Sequence, residues 1–363
     1  MRLTTTTLSI LAAMAFCGVA CTGPIESMNL RAVGDDTPVP LCAAGAACDD
    51  SVSFTYLATG GFIIRSGREA IMTAPTFTHP GLWRVISGRR IRSDTAEVRA
   101  SMNAVNMSSV RTLLVGHSHY DHLLDVPTIA ALYPDLRIVG SPSMKHLLAG
   151  DRTLDPVRVI ALGPEMVADA TTKGTWHYVT DGNGVARFRV MPVRSSHAFN
   201  AVGITIAPWR QTTDRETLPG NAWTWRMGEV YAYLIDVIRP DSIPEFRVLY
   251  QDSASQPEYN VLPPLDRRDS VKVDVAIICA GNFEVPKDYP TTLLAKVQPK
   301  FVIVGHWEDF FRPQSEELRV IRYTNTNLLQ KRMDERLPRE RWNSLRPYRT
   351  LTFRYTRAPA PVK

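Results

Sequence analysis

Alternation of apolar and polar side chains first becomes regular at residues 53–57 (SFTYL), and two more short apolar runs follow at 62–65 and 70–73. Gly60-Gly61 and Ser66-Gly67 separate them, so the three runs predict a β-meander. Residues 75–92 show neither helical nor strand periodicity, contain Trp83, and are expected as a loop over a site. Val98, Met102 and Val105 then recur at helical spacing behind Ser93-Asp94, which predicts a capped helix over 95–105. Residues 111–115 form an aliphatic, β-branched run of buried-strand type, ended by Gly116. Beyond it the periods alternate, with helix over 127–133, strand over 136–139, a short helix over 143–148 and strand over 157–162. That alternation is an α/β signal.

The second half returns to antiparallel signals at 175–179, 186–193, 202–207, 229–235 and 246–250, with a turn at Asp181-Gly182-Asn183-Gly184. A last α/β section predicts strand over 273–278, helix over 291–297, strand over 301–304 and helix over 316–333. Two β-rich halves, each with helices, imply two sheets packed face to face with helices outside.

Composition adds limits. A chain of 363 residues with 44% apolar content can bury a large core, as one big domain or two smaller ones. Its formal charge of +6 is modest, with the basic surplus concentrated between Arg312 and Arg357. Such a surplus suits an anionic substrate or surface, but solvated helix faces account for it as well. Nothing points to nucleic acid as a partner.

Residues 1–20 read as a signal peptide: Arg2 supplies a charged start, 8–15 are apolar but too short to span a bilayer, and Gly18-Val19-Ala20 suit cleavage. Cys21 follows at once. Lipid attachment there would tether the protein to a membrane as a lipoprotein, although Gly18 stands where such signals usually carry leucine. The expected location is exported, periplasmic or extracellular. Residues 21–50 are rich in Pro, Gly, Ala and Asp and read as a flexible tether, leaving 51–357 as the folded domain. Cys42 and Cys48 within the tether are candidates for a small disulfide loop. Cys17 leaves with the signal, and Cys279, in an apolar run, reads as a buried thiol.

The chemistry is concentrated in one stretch. After the strand over 111–115 come His117, Ser118, His119, Tyr120, Asp121 and His122. Three imidazoles and a carboxylate in six residues serve no packing purpose. His117 and His119 are two apart, so an extended backbone points both the same way, while Asp121 and His122 face elsewhere and suit a second ion. These are the ligand types of catalytic zinc sites. His197, Asp252 and His306 each follow an apolar strand, the same address as His117. Shared placement past strand ends makes them the remaining candidate ligands. Tyr120, Trp307, Phe310 and the cluster Trp209, Trp223 and Trp225 are candidates to line a pocket or lipid-facing groove, with core packing preferred for the cluster. His79, His146 and His177 lack a partner at ligand spacing and are read as ordinary polar residues.

Over residues 52–355 the chain resembles the metallo-β-lactamase superfamily of metallohydrolases, through the H-x-H-x-D-H loop and the order of the later His, Asp and His. It looks closest to the branch containing L-ascorbate-6-phosphate lactonase and the N-acyl-phosphatidylethanolamine phospholipase D enzymes. His119-Tyr120-Asp121-His122-Leu123, Val126-Pro127-Thr128-Ile129, Gln251-Asp252-Ser253 and Val304-Gly305-His306-Trp307 carry that likeness. The resemblance implies a four-layer αβ/βα sandwich, with His117, His119 and His197 on one zinc, Asp121, His122 and His306 on a second, and Asp252 bridging. Manganese or iron are alternatives to zinc. It also implies a hydrolase that uses a metal-bound hydroxide oriented by Asp121, acting on a phosphodiester or ester in a small-molecule or lipid-derived substrate. A lactonase of the same fold and a catalytically weak metal-binding module are the alternatives. Two departures stand out: Gln251-Asp252-Ser253 replaces the family's Gly-Asp-Thr, and Ala74-Pro75 replaces its Asp-Pro.

Overall fold

The computed structural model describes residues 25–30, 37–42, 48–181, 183–199, 205–267 and 269–356. The meander forms as expected: β2 (Asp50–Ala58), β3 (Gly61–Ser66) and β4 (Glu69–Thr73) pair antiparallel. Parallel strands β5 (Val110–Leu114), β6 (Arg137–Gly140) and β7 (Val159–Ala161) extend that sheet. On its other side lie β15 (Thr350–Tyr355), antiparallel to β2, and β1 (Val39–Pro40), parallel to β15.

The second sheet begins with a run of antiparallel strands, β8 (His177–Thr180), β9 (Ala186–Arg194), β10 (Tyr231–Ile238) and β11 (Pro244–Gln251). It continues in parallel through β12 (Val275–Cys279), β13 (Phe301–Gly305) and β14 (Trp342–Ser344). Each sheet is therefore mixed, and the fold is α/β.

Aromatic side chains join the two sheets. Phe54 of β2 lies 6.4 Å from Phe246 of β11, Phe246 lies 5.2 Å from Tyr355 of β15, and Phe353 of β15 lies 4.9 Å from Phe301 of β13. All five rings are buried, which removes a large apolar area from water and fixes the sheets face to face.

Helices α1 (Leu82–Ile86), α2 (Thr95–Asn103), α3 (Tyr120–Leu123), α4 (Val126–Leu132) and α5 (Pro142–Leu148) belong to the first half. Asp94 caps α2 by accepting from the Ala96 and Glu97 amides, and the helix buries Val98 and Met102 while its other face meets solvent. Helices α6 (Thr291–Val297) and α7 (Thr326–Asp334) follow in the second half.

Several expectations need correction. The helix predicted over 316–333 is confined to α7, because residues 319–321 turn back on the loop after β13. There Asp309 N donates to Arg319 O and Ile321 N to Trp307 O, at 2.9 and 2.8 Å, and those bonds displace helical ones. In the strand predicted over 202–207, residues 205–207 are irregular and 202–204 lie outside the described residues. Residues 75–92 are not all loop, since α1 lies within them.

The described part of the stretch read as a tether packs on the domain. Ile25–Met28 forms a 3-10 turn with Met28 buried, β1 joins the first sheet, and Cys42 is disulfide-bonded to Cys48. The signal peptide and Cys21 lie outside the described residues. Among the described residues no helix is long and apolar enough to cross a membrane.

Candidate metal centre

Strands β5, β9, β11 and β13 all run toward one edge of the sandwich, and each delivers its candidates in the residues just past it. All seven candidates come together. His117 lies 4.9 Å from His119 and 4.7 Å from His197 between ring centroids, and His119 is likewise 4.7 Å from His197. His117 also lies 4.2 Å from His122, which lies 5.3 Å from His306. Ligand atoms within 4.8 Å of one another fall into three groups: His117/His119/His197, Asp121/His122/His306, and His117/His122/Asp252.

Partner groups decide which ring nitrogens are free to ligate. His119 Nε2 lies 2.7 Å from the Ile206 carbonyl, which can only accept, so Nε2 carries the proton and Nδ1 the lone pair. His197 Nδ1 donates likewise to the Ala198 carbonyl, leaving Nε2. His117 Nδ1 donates to Asp252 Oδ2 at 2.8 Å, and its Nε2 is buried with no hydrogen-bond partner. In the second group, His122 Nε2 and His306 Nε2 approach Asp121 Oδ2 at 3.5 and 3.4 Å.

Asp252 sits behind the imidazoles. Its Oδ2 also accepts from the His117 amide at 3.0 Å, and its Oδ1 accepts from Tyr250 Oη at 2.7 Å. His122 Nδ1 lies 2.9 Å from Oδ1 but is poorly angled for a hydrogen bond, so it is the weaker contact. Two glycines make room: a Cβ at Gly116 would lie 2.4 Å from Asp252 Cβ, and one at Gly60 would lie 2.5 Å from Asp252 Oδ1.

Electrostatics keep the site in its ligating protonation state. Burial, then the neighbouring imidazoles, push His119 down to about 3 and hold His197 well below its usual range. His117 is lowered by burial and by His122, with Asp252 opposing. Burial pushes the Asp121 and Asp252 carboxyls up, but the surrounding histidines outweigh it and hold both below the usual carboxylate range. His117, His119 and His197 are thus held toward the neutral form and the two carboxylates toward the ionised form, as zinc ligands must be.

His306 occupies the left-handed region at φ 51°. Its amide bonds the Thr59 carbonyl at 2.9 Å and Tyr56 Oη at 3.1 Å, while Glu308 accepts from Tyr56 Oη and the Thr59 amide. These bonds hold a conformation that costs a non-glycine residue energy.

Tyr250, Ile206, Tyr56 and Glu308 were not among the sequence candidates. Tyr250 was findable, since two residues before Asp252 on a strand means the same face. The Ile206 carbonyl carries no sequence signal. The altered Gln251 faces away from Asp252 into a buried set with Ser255 and Asn260, at 3.0 and 3.3 Å. Trp307 and Trp225 are core residues, whereas Trp209 and Trp223 are exposed. His146 pairs with Asp214 at 2.7 Å, and neither it nor His79 or His177 joins a ligand group among the described residues. Cys279 is a buried free thiol whose pKa burial raises.

No protein-family model and no curated protein matches the chain by sequence. Among solved structures, the chain is similar to the metallo-hydrolase Igni18 from the hyperthermophilic archaeon Ignicoccus hospitalis, at 12% identity, TM-score 0.46, covering 84% of this chain and 99% of that one. It is also similar to the metallo-beta-lactamase fold protein YhfI from Bacillus subtilis, at 12% identity, TM-score 0.47, covering 84% and 100%. An isothiocyanate hydrolase from Delia radicum gut bacteria gives 12% identity, TM-score 0.48, covering 83% and 99%.

Proposed function

We propose that this chain is an exported, metal-dependent hydrolase that cleaves a phosphodiester or ester bond at a site for two zinc ions. The observation that carries the reading is the pair of groups His117/His119/His197 and Asp121/His122/His306, set side by side with Asp252 touching both. The donors fit zinc: the lone pairs are His117 Nε2, His119 Nδ1 and His197 Nε2 in one group, and the buried His117 Nε2 has no protein partner. When bound, such ions polarise a carbonyl or phosphoryl oxygen and lower the pKa of water toward neutrality.

The chain's own residues then divide the work. Asp121 is the carboxylate facing outward, with 13% of its side chain exposed against 1% for Asp252. It is therefore placed to orient a water and hold the proton taken from it. Asp252, expected from the resemblance to bridge the two ions, has both oxygens against His117, His122 and Tyr250 and is placed to orient those imidazoles.

Elemental analysis of gently purified protein tests the reading, with about two zinc ions per chain expected. Activity on a panel of phosphodiesters, carboxylic esters and lactones should vanish with a chelator and return with zinc. Less than about one ion per chain would favour a metal-poor binding module instead.

A further inference from the structure

Three tryptophans are exposed, Trp83 at 61%, Trp209 at 62% and, in part, Trp223 at 41%, whereas Trp225, Trp307 and Trp342 are buried. The exposed three lie in two segments, residues 75–92 and 205–228, and both segments grip the loop that carries His117 to His122. Thr76 Oγ1 donates to the Asp121 carbonyl, His119 Nε2 to the Ile206 carbonyl, and the Ser118 amide to the Met227 carbonyl at 2.8 Å.

The segments are also joined to each other. Trp223 Nε1 donates to Val85 O at 3.1 Å, and the Ile91 amide to Gly220 O at 2.9 Å. Within the second segment, Arg226 bonds Arg210 O at 3.1 Å and the Gly228 amide bonds Trp209 O at 3.2 Å. The result is one continuous rim beside the metal centre.

The first segment of the rim is strongly basic. Arg84, Arg89, Arg90 and Arg92 are all exposed, and no aspartate or glutamate occurs from residue 81 to 93. The second segment is mixed, with Arg210, Arg215 and Arg226 against exposed Asp214 and Glu216, of which Asp214 pairs with His146 at 2.7 Å; at the margins Asp94 caps α2 and Glu229 lies 3.5 Å from Arg210.

We infer that this rim docks the protein on an anionic phospholipid bilayer. Indole rings favour the headgroup boundary, where an apolar body and a polar N–H are both satisfied, and arginines are drawn to anionic lipid. A two-fold contact between copies fits less well, because it would set this arginine surface against itself. The inference concerns the surface alone, and vesicle binding is measurable whether or not the centre turns over.

The test is co-sedimentation of the zinc-loaded full chain, carrying Cys21→Ser so that no acyl chain contributes, with vesicles of phosphatidylcholine alone or mixed with phosphatidylglycerol. Binding to the mixed vesicles only is expected, with a blue shift of tryptophan emission and release at about 1 M salt, where screening acts within about 3 Å. Arg89→Gln with Arg90→Gln should weaken binding about 25-fold, at about fivefold per arginine. Trp83→Ala with Trp209→Ala should weaken it about tenfold or more and reduce the blue shift. Zinc content and circular dichroism confirm that each variant is folded. No binding to anionic vesicles at low salt, or equal binding by the folded variants, would overturn the inference. So would a tryptophan-dependent dimer, or binding to a single-stranded oligonucleotide, without vesicle binding.

Discussion

Asp252 makes every contact available to a buried carboxylate: the His117 ring and amide, Tyr250 Oη, and the edge of His122. Replacing it by asparagine keeps an acceptor for His117 and lets Tyr250 Oη donate to the Gly60 carbonyl at 2.7 Å, but removes the charge that holds the imidazoles. Asp252→Asn is therefore expected to keep the fold but weaken zinc binding about 10- to 100-fold, as loss of a ligand's partner does. Isothermal titration with zinc checks this, and an unchanged affinity would remove Asp252 from the site. At this scale the convergence of the candidate residues was legible, because H-x-H-x-D-H is local and His197, Asp252 and His306 each follow a strand end. The sequence was poor for the groups behind them. The Ile206 carbonyl that sets the His119 tautomer is a backbone atom, and any residue type there would supply it.

Among the elements, the loop after β13 shows how a strained candidate ligand is held. His306 keeps its left-handed backbone through Thr59 and Tyr56, and Glu308 ties those two together. Glu308→Gln keeps one acceptor oxygen and sets an N–H₂ against either the Thr59 amide, which is left unsatisfied, or Tyr56 Oη, which must turn its proton to the Thr59 carbonyl at 3.2 Å. A loss of about 1–3 kcal/mol in urea unfolding is expected. Zinc affinity should fall more in the group containing His306 than in the one containing His119, and equal loss in both would show a general effect only. Strands with clear periods, such as those of the meander and β10 to β13, were legible because burial imposes the pattern. The segments over 205–226 and 316–325 were not, since their shape comes from backbone bonds to distant loops, such as Ile321 to Trp307.

For the whole molecule, the cluster of depressed imidazoles makes stability depend on pH once metal is removed. Above 6.5, the ordinary histidine value, neither folded nor unfolded chain binds these protons. Below it the unfolded chain takes them up, while folded His119 resists until about 3 and His117 and His197 are also lowered. Stability of the metal-free protein should thus fall as pH drops below 6.5, by up to about 1.4 kcal/mol per pH unit for each such histidine. Asp121 and Asp252 are depressed as well, so their contribution is present above 3.8 and is lost only as pH falls below it. Thermal unfolding from pH 8 to 5 measures the histidine part, and a flat profile would count against neutral, crowded imidazoles. Adding zinc should raise stability without removing this dependence, because the metal keeps the same nitrogens unprotonated in the folded chain while the unfolded chain still binds protons below 6.5.

The two-sheet architecture matters here because it carries candidate ligands from residues far apart in sequence to one edge. The most direct check on that claim is anomalous diffraction at the zinc edge from crystals of the zinc-loaded protein. Two peaks are predicted, one within about 2.0–2.3 Å of His117, His119 and His197 ligand atoms and the other equally close to Asp121, His122 and His306. Peaks elsewhere, or none at these six side chains, would contradict the account.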